Sequence, residues 1–151
     1  MRTITGLEEL KAAEGETLGT SEWHELTQDD VNTFADVTGD HQWIHVDVDR
    51  AKDTPFGGTI AHGYLTLSLG PALNNQVFKL EGFAFALNYG LNKVRFPAPV
   101  PVGAKIRSSP KIAQVSDVPG GSQIVFETTF EVEGGEKPAC VAESVVRVYT
   151  G

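Results

Sequence analysis

The chain has 151 residues, 40% of them hydrophobic and 21% charged, with a formal net charge of −8. That is the composition of a globular protein with material for a real core, and it excludes a disordered chain. The acidic balance argues against nucleic-acid binding through a broad basic face. No apolar run approaches the ~18 residues of a membrane span, and the N-terminus lacks the long apolar stretch of a signal peptide. The single cysteine, Cys140, leaves no intrachain disulfide and suits a reducing compartment. A cytoplasmic protein with no membrane and no nucleic-acid partner is expected.

In chain order, residues 7–13 read as a short helix and residues 17–25 as a first strand. Thr27 is a good N-cap, with Asp29 and Asp30 placed where negative charge suits the helix dipole. Val31, Phe34, Ala35 and Val37 give that helix its apolar stripe, and Gly39 ends it. A short polar helix is predicted over residues 48–52, before Pro55-Phe56-Gly57-Gly58 breaks the chain. Residues 62–78 carry apolar or small side chains on most of a helical circumference, the mark of a helix in the middle of a domain. Pro71 should kink it. Everything after Phe83 reads as strand: residues 83–96, 105–115, 122–132 and 139–149, joined by Pro- and Gly-rich turns. In the last of these, Ala142, Ser144, Val146 and Val148 alternate with Val141, Glu143, Val145 and Arg147, as in an antiparallel sheet with one buried face. The pattern predicts an α+β domain in which a curved sheet wraps one helix.

Three of the four histidines are His41, His45 and His62. The segment after Gly39 places a carboxylate, Asp40, five residues before an imidazole, His45, which is the usual equipment for moving protons near neutral pH. Taken singly, Asp40 is a common turn residue after glycine, and a half-buried histidine is commonly satisfied by backbone. The segment around His41 and His45 is not expected to be helical, because Gly39 has just ended a helix. With no helical pair of histidines accompanied by a glutamate, no metal is expected. Cys140, mid-strand among apolar neighbours, offers no nucleophile.

Taken together, Phe34-x-x-x-Thr38-Gly39-Asp40-His41-Gln42-Trp43-Ile44-His45, with Ala51 six residues on, resembles the signature of the R-specific enoyl-CoA hydratases, the MaoC-like branch of hotdog-fold proteins. Ile60-Ala61-His62-Gly63 and Arg95-Phe96-Pro97-Ala98-Pro99-Val100 extend the resemblance in the family's order. One departure is that Gln42-Trp43 stands where the family usually has Asn-Pro. The resemblance implies one hotdog domain over residues 1–151, its sheet curved around the central helix and pairing edge to edge into a homodimer. It implies hydration of a trans-2-enoyl-CoA to an (R)-3-hydroxyacyl-CoA, with no cofactor beyond the coenzyme A thioester that is itself the substrate. Asp40 and His45 would handle the protons, and the Gly63 N–H would stabilise the thioester oxygen. Gln42, His62, Asn88 and Asn92 are the expected polar contacts to substrate, and Lys93 and Arg95, with Arg107, the expected holders of the CoA phosphates. Two rivals share the fold: a thioesterase, and a subunit that binds acyl-CoA or acyl-carrier protein without catalysis.

Overall fold

The computed structural model describes residues 1–151. A five-stranded antiparallel sheet forms its body, in the order β2 (His24–Glu25), β5 (Lys105–Val118), β6 (Gly121–Val132), β7 (Cys140–Tyr149) and β4 (Phe85–Arg95). Along β5 and β6 every second residue is buried, Ile106, Ser108, Pro110 and Ile112 on one and Ser122, Ile124, Phe126, Thr128 and Phe130 on the other, so the sheet has the single apolar face that the alternation predicts. The long strands are placed as expected, with ends shifted by one to three residues.

The helix predicted over residues 62–78 is two short helices, α5 (Gly63–Ser68) and α6 (Gly70–Asn74). Pro71 falls in the first turn of α6, where its missing N–H costs nothing, so the proline starts a new helix instead of bending an old one. Gly70 lies so close to the sheet that a Cβ there would meet the tip of the Phe130 ring at 3.2 Å. One end of the core packs Leu65 and Leu73 of these helices against Ile106, Phe130, Cys140 and Ala142. The other end gathers Ile4, Leu10, Ile112, Ile124, Phe126 and Val148, closed by α1 (Gly6–Ala12).

Two features differ from the expected outline. Residues 2–5 form β1 (Arg2–Thr5), paired in parallel with β3 (Phe78–Glu81), a second small sheet that was not anticipated. The strand predicted over residues 17–25 is regular only at β2. Upstream it runs beside β5 without a regular ladder: Leu18 N–H donates to Pro110 O, which has no N–H beside it to return a bond, and Ser21 N–H donates to Ser108 O while the Ser108 N–H goes to Ser21 Oγ.

α2 (Gln28–Thr38) begins with the predicted Thr27 cap, completed by Asp30 accepting from the Thr27 N–H, and ends at Gly39 in the left-handed conformation, φ 79°. The chain then makes a further turn of helix, α3 (Trp43–Val46), before α4 (Val48–Ala51). The residues around His45 are therefore helical after all, since a left-handed glycine lets the chain restart in a new direction.

Candidate active site

Asp40 leaves the end of α2, His45 sits in α3, and His62 is the residue before α5, so the site is where three short elements converge. Ligating atoms of the three side chains lie within 4.8 Å of one another, with both imidazoles buried and Asp40 exposed. His45 Nδ1 is 2.7 Å from the Ile60 carbonyl oxygen. A carbonyl only accepts, so Nδ1 carries the proton and the Nε2 lone pair is left free in the neutral ring. The His45 backbone is fixed from behind: its carbonyl accepts from the Gln28 amide at 2.8 Å, and the same side chain accepts from Thr59 Oγ1 at 2.7 Å.

His62 holds the Asp40 loop. Its Nε2–H donates to the Asp40 backbone oxygen at 2.9 Å, and its ring stacks on His45 at 3.9 Å and 25° and against Phe34 at 4.9 Å. His62 Nδ1 is buried with no hydrogen-bond partner. The triad does not fit a metal ion. Two imidazoles lying nearly face to face cannot both aim an in-plane lone pair at one ion about 2 Å from each. His41 is not part of the cluster, its Nε2 being 2.9 Å from Asp36, whose carboxylate raises the His41 pKa.

Gly63 opens α5, and its N–H, like that of Tyr64, meets no protein acceptor, as first-turn amides do not. The place of its missing side chain is not open to a ligand, however. A Cβ on Gly63 would stand 3.1–3.2 Å from three atoms of the Phe96 ring. The missing side chain at Gly63 makes room for that ring's approach.

Of the other expected residues, Gln42 gives its backbone N–H to Asp40 Oδ1 at 3.4 Å while its side chain is exposed and unbonded. The next residue, Trp43, lies under the Arg50 guanidinium, 4.0 Å from its ring centroid. Asn88 lines a cavity under the helices. Asn92 sits at a break in the β4–β7 register, and Lys93 and Arg95 follow on the exposed edge, in no ion pair with a carboxylate. Arg107 does not join them. It bonds Glu131, stacks on Trp23, and stands three strand spacings away, roughly 14 Å, on β5. Sequence reasoning missed the roles of Gln28, Phe34, Ile60 and Phe96; Phe34, Ile60 and Phe96 lie inside the quoted motifs, whereas Gln28 left no trace.

The chain has relatives among known proteins. A model of the MaoC like domain matches residues 9–135. The chain belongs to the MaoC-like dehydratase family. The 3-hydroxyacyl-thioester dehydratase Z of Mycobacterium tuberculosis is 56% identical over 148 residues, covering 97% of this chain and 98% of that protein. Nodulation protein N of Rhizobium leguminosarum is 44% identical over 132 residues, 85% and 81% of the two chains. In three dimensions, the (R)-hydratase from A. caviae superposes with a TM-score of 0.70 at 23% identity, covering 87% of this chain and 95% of that one. The fold is the hotdog of that enzyme, and this MaoC-like dehydratase is a hydro-lyase.

Proposed function

We propose that this dehydratase adds water reversibly to a trans-2-enoyl-CoA, giving the (R)-3-hydroxyacyl-CoA. The observation that carries the reading is the orientation of His45: its Nδ1–H is committed to Ile60, so the Nε2 lone pair is free beside the Asp40 carboxylate. A water held between the two gives a proton to the pair as its oxygen attacks C3, and the pair delivers a proton to C2. Both groups work from one side of the substrate plane, so H and OH arrive on the same face. The thioester oxygen, becoming enolate-like, is met by the free Gly63 N–H at the start of α5. The R configuration rests on the family likeness. Lys93 and Arg95 hold the CoA phosphates, and no cofactor takes part.

The assembly we propose is a homodimer. β4 is the outer strand of the sheet, and Phe85, Leu87, Tyr89 and Leu91 along it are 50–59% exposed, whereas the opposite edge, β2, offers only two residues. A long apolar edge is a template for another strand, and pairing two copies of β4 covers it.

The test is the absorbance of the conjugated enoyl thioester, followed together with free thiol. Hydration removes the absorbance without releasing thiol, and chiral analysis of the product returns the R alcohol. Thiol release identifies a thioesterase, and no change in either identifies a binder; both overturn the proposal.

A further inference from the structure

Beneath α5 and α6 lies a cavity of about 450 Å³, roofed by Leu67, Pro71 and Asn74 and floored by β4, β6 and β7. Leu67 is one helical turn beyond Gly63, so a tail running from a thioester at Gly63 along the helices enters this space. Most of the wall is apolar, with Phe126, Phe130 and Val146 among its residues. One band is not. In the cavity wall the Asn74 amide donates a long bond, 3.5 Å, to Thr128 Oγ1, and Ser144 lies on the neighbouring strand with its hydroxyl bonded to no protein group. Asn74 is anchored on its other side, where Ser108 Oγ, fully buried, stands 2.8 Å from its amide oxygen. Whichever end of the amide faces Ser108, the other is left toward the cavity with only the long Thr128 contact. Thr128 itself is 3% exposed and makes no shorter bond from its hydroxyl.

A saturated alkyl chain laid against this band would strand an amide and two hydroxyls away from water, which a site evolved for plain fatty tails has no reason to carry. We propose that the cavity takes an acyl chain bearing a second oxygen function, a hydroxyl or a keto group, some way beyond the reacting carbons, bound by Asn74, Thr128 and Ser144. A hydroxyl both donates and accepts, so it satisfies the amide in either orientation. The inference rests on the hydratase reading, and names the class of substrate for it.

The experiment compares three kinds of probe on the intact protein. One is trans-2-butenoyl-CoA, whose tail ends before the cavity. The second is a plain trans-2-enoyl-CoA of medium length. The third is a set of the same length carrying one keto or hydroxyl group at successive positions. The expected result is that one member of the set exceeds the plain chain in kcat/KM by about 10- to 100-fold, the scale on which a site built for a hydrogen bond rejects the analogue that lacks it. Asn74→Leu should erase that ratio, and Thr128→Val, nearly isosteric, should reduce it. If Asn74→Leu fails to fold because Ser108 loses its partner, the Thr128→Val ratio decides alone. No turnover of butenoyl-CoA defeats the hydratase reading itself. Turnover of butenoyl-CoA with the plain chain equal to every oxygenated one overturns only the present proposal. So does rejection of both long classes, which makes the polar band a stop for short chains.

Discussion

The carbonyl oxygen of Ile60 accepts a hydrogen bond from the Nδ1–H of His45, and a backbone atom thereby decides which imidazole nitrogen can face water. Because Asp40 and His45 act on the same water, Asp40→Asn and His45→Gln should each lower kcat by about 10²–10⁴, the usual loss for a general acid or base. The double variant should fall little below the worse single one, since groups acting as a unit are not additive. Full turnover in either single variant removes that residue from the mechanism. At Gly63 the Phe96 ring changes what alanine should do. The added methyl pushes on the ring, and overpacking of this kind costs about 1–3 kcal/mol. Gly63→Ala should therefore melt several degrees lower, and Phe96→Leu in the same chain should return most of the loss; an unchanged melting temperature in Gly63→Ala contradicts the contact. That Asp40 and His45 lie together in the structure was legible because their spacing is short and local. Gln28 and Ile60 were not, since one acts from α2 on a distant carbonyl and the other through a backbone oxygen that no side chain announces.

At the scale of elements, amphipathic pattern reported the long strands and α2 well, because one face of each is buried against the core. It could not report the break between α5 and α6. Apolar residues on every side look the same whether one helix runs through or two meet at Gly70. The break answers to Phe130, 1% exposed, whose ring leaves no room for a side chain at Gly70. Phe130 is almost fully buried, unlike the half-exposed Phe96, so Gly70→Ala should be the more damaging alanine of the two, by chemical denaturation at constant m-value. A Gly70→Ala chain as stable as the parent would show that α6 can lift off the sheet without cost. The parallel pairing of β1 with β3 was illegible for another reason: four residues are too few for periodicity, and their partner lies more than 70 positions away, Arg2 opposite Phe78.

For the molecule as a whole, the unpaired β4 edge is the dominant surface feature. Leu87→Lys combined with Leu91→Lys places charge on the proposed seam, as natural edge strands do to block pairing. The pair of substitutions should shift sedimentation from dimer to monomer and lower hydratase turnover with it. A parent chain that is monomeric at micromolar concentration refutes the dimer. Cys140 opens β7 with no accessible surface, between the two long strands' inner face and the helices, and burial pushes its thiol up to about 11. The folded state thus disfavours the thiolate, and the stability this thiol permits is intact below the ordinary thiol range and declines as pH climbs from 9.0 toward about 11. Being the chain's one sulfhydryl, it also serves as a built-in clock. A thiol reagent can reach it only when β7 parts from the helices, so the rate of native-state labelling at mild pH counts openings of the core directly. Occupying the cavity with a non-reacting thioester should slow that clock, giving a readout of binding that needs no turnover.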